Sequence, residues 1–196
     1  TFIICLFSGI ISTVLVYNLL ILTKKRTKIS ESLVYSLIIL SPAIMAVGYY
    51  IFSYKLNILQ FPNIMIVIVL NAFFVLPFTY NYLAPSFFKI TKENEDISNS
   101  LNIYGLSRFI TIEWPRLKNS LITAFCVSSI LSASDLVVIS FFGTNSLSTL
   151  TQTIYRLMGS YRIDEAYSVS LILLIYCFLY FFAFGKLLEK IKWNIH

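Results

Sequence analysis

Asp135 carries the most chemical potential in this sequence, because it puts a carboxylate deep inside an apolar stretch. A charge in the middle of such a stretch is costly unless it is paired or wetted, and it marks a functional position by default. Ser128, Ser129, Ser132 and Ser134 stand close by. On a helix, Ser128 and Ser132 share one face with Asp135 and form a polar stripe. Two readings follow. The stripe can line a water-filled translocation path, or Asp135 can pair with a basic residue of another helix while the serines serve as small packing contacts.

Other chemistry lacks its parts. The sole histidine, His196, is the last residue, so a Ser-His-Asp triad or a Cys-His pair cannot be assembled. Cys5, Cys126 and Cys177 lie far apart, each in an apolar run and without CxxC spacing, which reads as buried small hydrophobes rather than a disulfide framework or zinc site. There is no GxxxxGK[ST] loop to cradle phosphates. The expectation is therefore a chain that is no enzyme, with no metal and no cofactor of its own.

The surroundings of Asp135 define the solvent. Charged residues make up 12% of the chain and hydrophobic ones 58%, with a mean hydropathy of +0.80. Soluble domains carry about 25% charged residues, so water is not the main solvent here. A net charge of +6 raises nucleic acid as a partner. The basic residues sit between apolar runs rather than on one face, which weakens that reading and leaves nucleic acid outside the expected partners.

A membrane helix needs roughly 20 apolar residues. Five windows qualify, at about residues 1–22, 33–52, 64–84, 121–142 and 167–187. They are continuous rather than alternating, so helices are expected and not barrel strands. The fold class is thus all-α and polytopic. Lys24, Lys25, Arg26 and Lys28 follow the first window. Lys89, Lys92, Arg108, Arg116 and Lys118 lie between the third and fourth, and Lys186, Lys190 and Lys192 end the fifth. Only Lys55, Arg156 and Arg162 fall on the opposite side. The positive-inside rule then puts the N-terminus of the segment outside and its C-terminus in the cytoplasm. Thr1 opens directly on an apolar run with neither initiator Met nor charged n-region, which reads as a segment cut from a longer protein. Pro42 and Pro77 fall inside windows, where each can kink its helix for packing or for gating.

Residues 85–120 form the one sizeable polar segment on the basic side. Thr91, Glu93, Glu95 and Asp96 suit the start of a helix, and Ile97, Leu101 and Tyr104 make an apolar stripe along it. Gly105 breaks that helix, a second runs over 107–113, and Pro115 suits the start of the next membrane helix. Such a helix can lie on the membrane surface or dock on a cytoplasmic partner.

The stretch DISNSLNIYGLSRFITIEWP resembles the EAA loop of ABC-transporter permeases, whose pattern is EAA, three residues, Gly, nine residues, Ile, one residue, Leu-Pro. Asp96 falls on the Glu, Ile97 and Ser98 on the two Ala, Asn102 on the Gly, Ile112 on the Ile, and Trp114-Pro115 on the Leu-Pro. Spacing is kept while several identities differ. Beyond the loop, Ser132 to Leu136, Phe142-Gly143 and Gly159 to Arg162 resemble landmarks of the bacterial thiamine permeases, in the C-terminal half of their two-half chain. The likeness covers roughly residues 95–185, and before that only the pattern of spans agrees.

The resemblance implies a type I ABC importer (MetI-like) fold of about five membrane helices with a cytoplasmic coupling helix. It implies one permease domain over 1–196, with the coupling loop at 91–115. Asp96, Ile97, Ser98, Leu101, Asn102, Gly105, Ile112 and Pro115 would take force from a cytoplasmic ATPase dimer. Ser128, Ser132 and Asp135 would line the path of thiamine or its phosphates, an acidic wall suiting thiamine's cationic ring. Tyr155, Arg156, Tyr161 and Arg162 would meet a periplasmic solute-binding protein, although interface-anchoring tyrosines and solvated charges give the same residues. A second permease half completes the assembly in the bacterial inner membrane. Ferric-iron permeases share the two-half layout, and a membrane receptor or scaffold recruiting a partner through the loop is the alternative of a different class.

Overall fold

The computed structural model describes residues 1–23, 28–39, 41–55, 63–100, 114–143 and 148–193. The described residues form helices α1 (Phe2–Thr23), α2 (Lys28–Ile39), α3 (Pro42–Lys55), α4 (Asn63–Ser100), α5 (Trp114–Ser134), α6 (Val137–Phe142), α7 (Leu150–Gly159) and α8 (Ile163–Trp193), with no strand among them. The chain is an all-α polytopic membrane protein. Among the described residues, three stretches are long and apolar enough to cross a bilayer as single helices: Phe2–Thr23, Ile64–Glu93 and Ile163–Phe184.

Two of the five apolar windows are each divided. In the second, Pro42 starts α3 rather than kinking a longer helix. Proline is at home there, since a first-turn N–H has no intrahelical acceptor. Ser41 completes the start, its Oγ accepting the Ala43 N–H at 3.3 Å. In the fourth window α5 stops at Ser134 and α6 resumes at Val137, leaving Asp135 and Leu136 between them.

The third window corrects the reading of the polar segment in the other direction. α4 continues without interruption for 38 residues, with both Pro77 and Pro85 inside it. At 1.5 Å per residue that is roughly 57 Å, about twice the hydrocarbon core. Thr91, Glu93, Glu95 and Asp96 therefore lie towards the C-terminal end of α4 and do not open a new helix. Helical carbonyls leave that end of the dipole negative, so the acidic run is not a capping feature. Glu93 instead reaches Arg116 at the start of α5, at 4.0 Å with both side chains half exposed, a pair too open to add much stability.

α1, α4 and α5 pack against one another and form the nucleus. At one end Val16 and Leu20 of α1 meet Leu76, Leu83 and Phe87 of α4 and Leu117 of α5. At the other, Ile4 of α1 meets Val67 and Leu70 of α4, Ala46 of α3, and Val138 and Ile139 of α6. A polar belt separates the two apolar clusters. In it Ser8 Oγ lies 2.6 Å from Ser132 Oγ, Ser12 Oγ 2.8 Å from Thr79 Oγ1, and Asn71 Nδ2 donates to Ser132 Oγ at 3.2 Å. Lipid chains are as apolar as leucine, so membrane helices associate through close approach of small residues and through such interhelical bonds.

Gly9 sets the approach of α1 to α5. A methyl group there would overlap Ser129 Oγ and crowd the Phe125 ring and Ser128 Oγ, both at 3.2 Å. By contrast, a methyl at Gly48 in α3 would meet nothing within 4 Å. Gly9→Val is therefore expected to lower stability by about 1–3 kcal/mol through overpacking. Gly48→Ala should leave it unchanged or raise it by up to ~1 kcal/mol. Thermal denaturation of the two variants in detergent, followed by loss of the monodisperse peak, checks the contrast.

Candidate functional site

The break between α5 and α6 is built by Asp135 itself. Its Oδ1 accepts the Val137 N–H at 3.2 Å and its Oδ2 accepts the Val138 N–H at 3.1 Å. An aspartate with two free carboxylate oxygens satisfies helix-start N–H groups better than α5 could by continuing, and so one helix ends where the other begins. The Asp135 N–H turns back to Ser132 O at 3.4 Å. Thr151 Oγ1 of α7 donates to Asp135 O at 3.2 Å.

α7 locks the far side of the break. Thr149 caps it, its Oγ1 accepting the Gln152 N–H at 3.3 Å, and Thr1 Oγ1 accepts the Leu150 N–H at 2.9 Å. Gln152 Nε2 donates to Ile139 O at 3.3 Å. Gly143 lies so close to Ile139 O and the Gln152 amide that a side chain would not fit there. α6 is thus a single short segment pinned at both ends by side chains. Asp135 is 8% exposed, and among the described residues it has no basic partner. Of the two readings of Asp135, pairing with a cation of another helix is not what the described residues form.

The structure separates the expected stripe into parts. Ser132 and Ser128 are buried, and Asp135 lies beyond the end of their helix. Ser132 bonds to Ser8 and Asn71 across helices, while Ser128 Oγ donates to Phe125 O of its own helix at 2.8 Å. Asp135 does not extend their helical face, because its side chain caps α6 instead. Sequence reasoning passed over Asn71, Ser8 and Gln152. The signal was present for Asn71, one of two asparagines in the third window, by the same rule that singled out Asp135. Its Oδ1 is buried without a hydrogen-bond partner among the described residues.

Tyr155, Arg156, Tyr161 and Arg162 come together at the exposed tip where α7 turns into α8. The Tyr161 N–H donates to Met158 O at 3.1 Å and the Arg162 N–H to Leu157 O at 3.0 Å, the pattern that closes a helix through a left-handed residue. Tyr161 takes that role at φ 59° where glycine is usual, and its ring is 89% exposed. Arg162 forks onto the Glu165 carboxylate at 2.7 and 2.5 Å.

Of the residues assigned to ATPase coupling, Asp96, Ile97 and Ser98 are in the last turns of α4 and Pro115 is in the first turn of α5. Leu101, Asn102, Gly105 and Ile112 lie outside the described residues. The helices that flank the segment meet at the Glu93–Arg116 pair, two turns before the end of α4 and in the first turn of α5.

These features define a polytopic helical membrane protein whose fourth apolar window is interrupted at Asp135. No family model matches the chain. It is similar to the thiamine transport system permease protein ThiP of Haemophilus influenzae, 31% identical over 134 residues, which is 68% of this chain and 25% of that protein. The ThiP proteins of Brucella abortus and Escherichia coli K12 are 29% identical over 144 residues and 35% identical over 122, covering 72% and 62% of this chain and 26% and 23% of their own lengths. The resemblance to the thiamine permeases is borne out by these matches. The chain spans about a quarter of the length of the curated relatives it matches.

Removing the Asp135 carboxylate strips two N–H groups of their acceptor at once. Asp135→Ala is expected to destabilise by about 1–2 kcal/mol, the cost of a lost helix cap, and Asp135→Asn by less than half of that. Midpoints of thermal unfolding for both variants against the parent chain give the comparison.

Proposed function

We propose that this chain is a membrane-spanning permease unit of an ATP-driven ABC importer that carries thiamine or its phosphates inward across the bacterial cytoplasmic membrane. The observation that carries the proposal is the similarity to the thiamine transport permeases. Supporting it are the all-helical membrane nucleus and the spacing of the polar segment between α4 and α5. The unit spans one permease half, with residues 91–115 as its coupling segment, and works beside a second half. It is a transport subunit and hydrolyses no ATP itself. A cytoplasmic ATPase dimer docks at Asp96, Ile97, Ser98, Leu101, Asn102, Gly105, Ile112 and Pro115. A solute-binding protein delivers the cargo at Tyr155, Arg156, Tyr161 and Arg162 on the opposite side. The C-terminus is cytoplasmic, following the basic residues.

Within this reading Asp135, with Ser128 and Ser132 behind it, borders the path of the cationic cargo. The interruption it caps is the kind of element that lines binding sites in transporters, where unwound backbone supplies polar groups at membrane depth. Movement of the coupling segment by the ATPase would pass to α4 and α5, the helices that bracket it, and so to the break.

The test uses the assembled transporter. Thiamine should stimulate ATP hydrolysis in proteoliposomes holding the whole complex with its binding protein. Asp135→Asn, which stays folded, should cut that stimulation about tenfold or more, because an intramembrane charge with a direct role is not replaced by a neutral isostere. Stimulation at the parent level in Asp135→Asn would reject a direct role for the carboxylate. An ATPase that still co-purifies after deletion of 93–112 would reject the coupling assignment.

A further inference from the structure

A groove of about 570 Å³ runs along the contact between α1 and α5. Val14 and Tyr17 form one wall, and Leu121, Ile122 and Phe125 the other. The Thr13 hydroxyl beside them is turned back onto Gly9 O and Ile10 O of its own helix, both at 2.9 Å, so it offers no donor to the groove. Besides the Tyr17 hydroxyl, polar chemistry enters where Trp114 and Lys118 complete the lining at the first turns of α5. From Lys118 to Phe125 the α5 wall is roughly 10 Å long, at 1.5 Å per residue.

Arg116 is directed to Glu93. Lys118 is half-buried in the groove and has no ion-pair partner among the described residues. A tryptophan and a lysine at a helix start are the residues that sit at the headgroup level, the lysine extending its ammonium from an apolar stem. An apolar trough closed at one end by an unmatched cation fits an amphiphile with an acyl tail and an anionic head. It does not suit a cationic cargo, which Lys118 would repel; an uncharged lipid would leave Lys118 unmatched, and a zwitterionic one would bring its own cation beside the phosphate and lose most of the attraction.

We propose that this groove is a binding site for an anionic phospholipid of the leaflet that Trp114 faces, with an acyl chain between α1 and α5 and the phosphate on Lys118. Basic pockets between membrane helices are known to hold such head groups in general, each basic residue contributing about 1 kcal/mol, or about fivefold in affinity. The site is independent of the transport reading and of which side of the membrane that leaflet occupies.

Trp114 and Trp193 are the two tryptophans of the chain, so Trp193→Phe leaves Trp114 as a single reporter at the mouth. The full chain carrying that change is reconstituted in mixed vesicles of phosphatidylglycerol and phosphatidylcholine, with bromine on the acyl chains of one lipid at a time. Brominated phosphatidylglycerol is expected to quench Trp114 with about a fivefold preference over brominated phosphatidylcholine. Lys118→Gln should bring the preference close to one, and Lys118→Arg should retain it. Equal quenching by both lipids, or a preference that survives Lys118→Gln or is lost in Lys118→Arg, would overturn the proposal. So would an absence of quenching by either lipid, which would mean that protein covers the groove.

Discussion

Everything in this molecule depends on how closely α1 can approach α5. In a bilayer there is no water to expel from between helices, so contact geometry and interhelical hydrogen bonds must hold the bundle together. Gly9 permits that approach, and around it Ser8, Ser12, Asn71, Thr79 and Ser132 tie three helices at one level. The apolar clusters on either side fill the remaining volume but would pack nearly as well against lipid. A polar belt between two apolar layers therefore fixes the register of α1, α4 and α5. With the register set, the mouth of the groove and the break at Asp135 have defined positions.

The break is the second constraint. Continuing α5 through Asp135 would bury a carboxylate with no partner, whereas ending the helix gives it two N–H groups at 3.2 and 3.1 Å. The residue that is most expensive in a membrane is thereby made into a structural joint. Thr151 and Gln152 hold the segment beyond it from α7. Structure and function are compatible here: a joint between two helices at membrane depth is also a place where a polar solute can find backbone and side-chain partners.

Hydropathy made the first, third and fifth windows legible, because each became part of one long helix. It failed at the second and fourth for a physical reason. Transfer energies count side chains, whereas the breaks at Ser41-Pro42 and Asp135 are matters of backbone hydrogen bonding. Both had local signals, a serine before a helix-starting proline and an aspartate two residues ahead of a β-branched run. The acidic run at 93–96 misled in the opposite way, since acidic residues favour a helix start only where a helix begins, and α4 simply continues. α7 was readable from Thr149 followed three residues later by Gln152, although Gln152 turned to Ile139 O rather than back to the cap. The interhelical partners of Ser132 could not be read at all, because spacing along one helix says nothing of which neighbour it meets.

In the function proposed above, this membrane nucleus belongs to a thiamine importer. The most direct measurement is uptake of radiolabelled thiamine by cells lacking any other route for it, with and without the gene for this chain. The account predicts energy-dependent uptake that falls to background when the gene is removed and is not reduced by excess ferric iron. Thiamine uptake unchanged by removal of the gene would contradict it.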